Sequence, residues 1–332
     1  MHEKACFWAV FFALFLVNLP VHSQQSAREI AYPAAPGGLI GFLEFRPTDY
    51  GSQRHPLIIF LHGSDERGNG RSQLNLVTTH GIPRYCANGA SMKFTVGGQT
   101  SSFVVLSPQL STQYGVWPVF YVKEMIRYAK QNLQIDSNRV YVSGLSLGGG
   151  GVWAAITESD SLTDLIAAAA PVCGTQEMND ANFCRTVGAT HLPVWAFHAM
   201  DDKTVNVAAT QHGEILGNIC KLSPALKITY YLSGGHQRAW INAYDTGHIT
   251  VKIKDGSLFK ARPNLYEWLL GYTRVAAASG TTSNSSGAAG KLALSNATRH
   301  SGGGLPGWLK KLKFRFDLLT KAAMLPYAGP RW

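Results

Sequence analysis

Ser146 stands between glycines in Gly144-Leu145-Ser146-Leu147-Gly148, a G-x-S-x-G pattern. A serine hydroxyl is a weak nucleophile. Chemistry there needs exposure, an adjacent base, and donors aimed at the oxyanion that forms. The pattern alone is common in a chain with 34 Gly among 332 residues. Its setting is more specific. Residues 139–142 form a β-branched and aromatic run that reads as a buried strand, and the apolar run 152–156 reads as a helix. Strand, sharp turn and helix would put the serine at the positive end of the helix, with glycines where side chains would collide.

A nucleophilic serine also requires a base and an acid that orients the base. With this turn, the two follow the serine in the chain, acid before histidine. Asp201 and Asp202 both follow the apolar run 193–197, and both qualify. His236 follows the run 227–232, and His248 is its rival. His62 closes the apolar run 56–61 and reads as a histidine that holds its own loop by hydrogen bonds. That loop, His62-Gly63-Ser64-Asp65-Glu66-Arg67-Gly68, has backbone amides that can supply half of an oxyanion hole, and the Leu147 amide the other half. Tyr114, Trp117 and Trp240 read as well for core packing as for an aromatic substrate pocket. No Cys or His pair has metal-ligand spacing on a common face, so neither a metal nor another cofactor is expected.

The elements that must position these residues follow from the apolar runs. Strands are expected at 38–46, 56–61, 102–106, 139–142, 165–172, 193–197 and 227–232, and helices at 119–132, after Ser146, and at 265–270. Strands alternating with helical stretches, each strand closing in a polar loop, predict an α/β fold: a mostly parallel sheet flanked by helices, with the site at the carboxyl ends of the strands. The catalytic domain is expected to span 24–275.

Residues 1–23 read as a cleaved signal peptide. Lys4 precedes an apolar stretch at 6–19, and Val21-His22-Ser23 offers small residues for cleavage. The stretch is shorter than the roughly 20 residues of a membrane span, which argues against an anchor. A secreted or periplasmic protein is expected. The net charge of +10 is uneven: residues 276–332 carry eight Lys/Arg against Asp317 alone. The body is therefore nearly balanced, which argues against a nucleic-acid partner. Residues 279–286 are Ser/Thr/Gly/Asn-rich and read as a flexible linker, and 308–325 place Leu309, Leu312, Phe316, Leu319 and Ala323 on one helical face among lysines. That basic amphipathic tail fits weak membrane-surface contact, or a tail without catalytic consequence. The oligomeric state is not specified. Export leaves Cys86, Cys173, Cys184 and Cys220 in an oxidising compartment, and Cys173 with Cys184, which bracket one loop, is the expected bridge.

Four motifs in order, Leu61-His62-Gly63-Ser64-Asp65-Glu66-Arg67-Gly68, Asn138 through Gly149, Pro193-Val194-Trp195-Ala196-Phe197-His198, and Gly235-His236 with Trp240, resemble the α/β-hydrolase superfamily. Within it they look nearest to the exported esterase and predicted-peptidase group around polyhydroxybutyrate depolymerases, feruloyl esterases and dienelactone hydrolases. The resemblance covers about 38–270. That family's acid motif, H-G-x-x-D-x-x-V, falls on His198, Asp202 and Val205, with Ala199 in place of its glycine. Its histidine is followed closely by a tryptophan, which favours His236 with Trp240. The resemblance implies a secreted serine carboxylesterase acting on a small or polymeric ester through Ser146, His236 and Asp202. A serine peptidase of the same fold and a non-catalytic binding module are the alternatives.

Overall fold

The computed structural model describes residues 24–222, 226–246, 249–252, 258–261 and 263–274. The segment 1–23, His248 and the tail 276–332 lie outside them. The chain divides into two units, Met1–Ala277 and Ala278–Trp332, and only the first contains described residues.

The strands in chain order are β1 (Gln24–Ala31), β2 (Leu39–Arg46), β3 (His55–Leu61), β4 (Lys93–Val96), β5 (Gln99–Ser102), β6 (Val104–Pro108), β7 (Ile135–Leu145), β8 (Ala168–Val172), β9 (Trp195–Ala199), β10 (Lys227–Tyr231), β11 (Ile249–Lys252) and β12 (Leu258–Ala261). The helices are α1 (Gly81–Ala87), α2 (Phe120–Asn132), α3 (Leu147–Ile156), α4 (Asp160–Thr163), α5 (Asp180–Phe183), α6 (Ala208–Ile219), α7 (Gly235–Tyr244) and α8 (Leu265–Leu270). Eight strands form one sheet in the order β1-β2-β6-β3-β7-β8-β9-β10. From β6 to β10 all neighbours are parallel, and β1 and β2 add antiparallel at one edge. β4 with β5 and β11 with β12 make separate antiparallel pairs.

The apolar runs exist because the parallel centre is covered on both faces. Every residue of β3, β8 and β9 is buried. Side chains alternate across the sheet. Leu57, Ile59 and Leu61 of β3 join the core under α2 and α3, whereas Ile58 and Phe60 join the core under α1, α7 and α8. Because the central strands are parallel, the loops after β3, β7, β8, β9 and β10 gather along one edge, and the chemistry-bearing residues lie there. The sequence does not announce β1. Its edge position needs little apolar surface, and it is held by pairing with β2 from Gln24↔Arg46 to Ala31↔Leu39.

The expected Cys173–Cys184 bridge is not formed. Cys184 is joined instead to Cys220, with Cα atoms 5.1 Å apart. Cys184 opens a π-helical turn, Cys184–Gly188, that packs beside Cys220 at the C-terminal end of α6. Cys173 lies fully buried just past β8, its amide donating to the Phe197 carbonyl and its thiol to the His236 carbonyl. Cys86 and Cys173 are free.

Candidate active site

β7 runs into α3 through Ser146, which has φ 55° and ψ −120°. Positive φ is costly for a residue with a side chain, and here it turns the hydroxyl outward at the start of the helix. The turn is tight enough to exclude side chains on either side. A Cβ on Gly144 would lie 2.5 Å from the Gly148 carbonyl oxygen, and one on Gly148 would lie 2.0 Å from that of Leu61. The Ser146 amide donates to the Val172 carbonyl at 2.9 Å, tying the turn to β8.

His236 sits in the first turn of α7. Its Nε2 is 2.8 Å from Ser146 Oγ, and its Nδ1 is 2.6 Å from Asp202 Oδ2. Asp202 Oδ1 accepts the amides of Thr204 and Val205, each at 2.9 Å. The carboxylate is thus held at both oxygens. A carboxylate only accepts, so Nδ1 of His236 carries the proton and Nε2 presents its lone pair to the serine. Asp201 is exposed, and its carboxylate accepts the amides of Gly234 and Gly235, at 3.0 and 2.8 Å. Those donors hold its carboxyl below the usual range. Asp201 is therefore tied to the turn before His236 rather than to its ring.

The loop after β3 lies over the serine: a Cβ on Gly63 would be 3.5 Å from that of Ser146. His62 fixes it. Its Nε2 accepts the Leu110 amide at 2.9 Å, so Nδ1 donates to the Gly63 carbonyl at 2.7 Å. Burial, above all, holds this imidazole down at about 4, so it stays neutral. The Gly63 amide is taken by the buried Glu66 carboxyl, whose pKa burial pushes up to about 7. Of the expected oxyanion donors, Ser64 is exposed at the cleft, and Leu147, as the first residue of α3, has no intrahelical acceptor for its N–H. The cleft above Ser146 encloses about 320 Å³ between this loop, Thr204 and the α7 residues His236, Gln237 and Trp240.

The architecture is decided by this edge: a parallel sheet, a strained serine between strand and helix, and acid and histidine on later strand ends. The chain has the α/β-hydrolase fold. It is similar to the solved structure of a thermostable esterase, with 26% identity and a TM-score of 0.53, over 75% of this chain and 63% of that one. It is also 26% identical over 157 residues to a bifunctional acetylxylan esterase/xylanase of Neocallimastix patriciarum, covering 46% of this chain and 20% of that protein. The chain therefore spans less than two thirds of the length of either relative. No protein-family model matches.

Within this fold the two tryptophans expected at the substrate part company. Trp240 lines the cleft and packs edge-on against His236, ring centroids 4.8 Å apart. Trp117 is only 3% exposed and belongs to the core, its Nε1 donating to the His62 carbonyl at 3.1 Å. It does not line the cleft above Ser146 and supports the loop from below. Tyr114 packs against Phe120 and Tyr121.

Sequence reasoning gave His198 only as a motif landmark. It is fully buried, with Nδ1 on Thr210 Oγ1 at 2.8 Å and Nε2 shared between the Val205 carbonyl at 2.9 Å and Asp202 Oδ2 at 3.2 Å. Donation to the carbonyl fixes its tautomer, and it braces the Asp202 turn from behind. Among the described residues, the ligand atoms of Cys173, Asp202 and His236 come within 4.8 Å of one another, a spacing at which a metal could be considered. Asp202 and His236 already share a proton there, and burial pushes the Cys173 thiol up, keeping it protonated.

Proposed function

We propose that this chain is an exported serine hydrolase of carboxylesterase type, with Ser146 as nucleophile, His236 as general base and Asp202 as the acid that orients it. One observation carries the reading: hydrogen bonds of 2.8 and 2.6 Å join Ser146, His236 and Asp202, which come from three separate strand ends. In the first step Ser146 Oγ bonds to the ester carbonyl carbon while its proton passes to His236 Nε2. The negative charge on the carbonyl oxygen is met by the Leu147 and Ser64 amides. Collapse breaks the ester bond, and the leaving alkoxide takes the proton from Nε2. Water then attacks the acyl-serine by the same route, releasing the acid and restoring Ser146.

The Cys184–Cys220 bridge supports an oxidising, extracytoplasmic location. The substrate is a small or polymeric ester reaching an open cleft. The test is a panel of p-nitrophenyl esters beside aminoacyl-p-nitroanilides, each with Ser146→Ala as control. Turnover of esters that vanishes in the control supports the proposal. Turnover of the anilides alone would make the chain a peptidase, and turnover of neither would make it a binding module.

A further inference from the structure

Beside the cleft over Ser146, on the other side of Trp240, lies a second hollow of about 310 Å³. His80 and Trp240 wall both hollows, their ring centroids 5.3 Å apart. The charges differ on the two sides. The serine side carries Asp65 and Glu66, whereas the far side carries Arg84 of α1, with Asp245 near enough to act on Tyr85 in its wall. Arg84 is exposed, and among the described residues no carboxylate lies within ion-pair distance of it. Among the described residues its guanidinium makes a single 3.5 Å contact, to the Thr79 carbonyl. The guanidinium is felt inside the hollow: His80 is held below the usual imidazole range, first by burial and then by the Arg84 charge.

The direction of the leaving group follows from proton transfer. The alkoxide oxygen must lie against His236 Nε2 to take its proton. Trp240 stands against His236, so the alcohol half of the ester is led along α7, past Trp240, toward Arg84. An aromatic wall followed by a guanidinium without a carboxylate partner among the described residues suits a ring that ends in a carboxylate.

We propose that this second hollow is a leaving-group subsite for esters whose alcohol part carries a carboxylate on a ring, with Trp240 covering the ring and Arg84 pairing with the carboxylate. The assignment rests on the ester-hydrolase reading above. The probes are 3-carboxyphenyl acetate and its uncharged counterpart 3-carbamoylphenyl acetate, and the readout is the ratio of their kcat/KM values. The full chain should favour the carboxylate about two- to fivefold, the range for an exposed ion pair. Arg84→Gln should bring the ratio close to one, Arg84→Lys should keep part of it, and added salt should shrink it. A ratio near one in the unaltered chain, or a preference that survives Arg84→Gln, overturns the subsite. Equal turnover of both acetates leaves the ester-hydrolase reading standing, whereas turnover of neither removes both.

Discussion

Asp201 and Asp202 hold the same histidine-bearing turn through different atoms: Asp202 grips the His236 ring, and Asp201 grips the Gly234 and Gly235 amides just before it. Gly234 and Gly235 have φ of 114° and 65°, so the turn they form is specific and needs those acceptors. Asp202→Asn should lower kcat by about 10²–10⁴-fold, because the imidazole loses both its orientation and the stabilisation of its charged form. Asp201→Asn keeps one acceptor oxygen and should cost less than about tenfold, and Asp201→Ala should cost more than Asp201→Asn. Steady-state kinetics of the three variants on one ester decide it. A severe loss at Asp201→Asn with a mild one at Asp202→Asn would reverse the assignment.

The loop over the serine should make stability depend on pH with a definite sign. Burial raises Glu66 from 4.5 to about 7. Its favourable contribution is therefore full below its unfolded pKa and is lost as pH rises through about 7, a difference of roughly 2–3 kcal/mol. His62 has the opposite sign. Burial lowers it from 6.5 to about 4, so its contribution is present above 6.5 and lost as pH falls toward 4. Urea denaturation of Glu66→Gln beside the unaltered chain isolates the first effect: the variant should gain relative stability between pH 5 and pH 8. An identical difference at both pH values would contradict it.

Much of this site was legible because its residues sit at the ends of apolar runs. Residues 56–61 and 193–197 are apolar because the strands are covered on both faces, and that burial forces the chain to turn at His62 and beyond His198. What the sequence hid depends on which elements meet in space. Trp117 and Trp240 look alike as residues, yet the first lies under the β3 loop and the second stands beside His236. Cys184 found Cys220 rather than its nearer neighbour Cys173 because α6 returns to the segment after β8, which spacing cannot reveal. The grip of Asp201 on two backbone amides leaves no trace in side-chain pattern.

The Cys184–Cys220 bridge spans a sequence separation of 36 and should contribute roughly 3–4 kcal/mol by the chain-entropy model. Non-reducing peptide mapping should find this pair linked and Cys86 and Cys173 free. The Cys184→Ser/Cys220→Ser double variant should unfold at lower urea. A linked Cys173–Cys184 peptide would contradict the described packing.

Arg274 sets where the domain can be cut. Its amide donates to the Asn138 carbonyl at 2.8 Å, and its guanidinium reaches the Thr190 carbonyl at 2.7 Å and Asp164. A chain of residues 24–275 should fold and keep close to the full ester turnover, whereas one ending at Tyr272 should melt lower. Loss of activity in the longer truncation would give the tail a part in the domain.

The central claim is that Ser146 forms a covalent acyl intermediate. Incubation with a fluorophosphonate, followed by peptide mass spectrometry and an ester assay, tests it in one experiment. The account predicts one phosphonyl adduct, on Ser146, loss of turnover in step with labelling, and no adduct with at least about a thousandfold loss of turnover in Ser146→Ala. An adduct on another residue, or ester turnover that persists in Ser146→Ala, would contradict it.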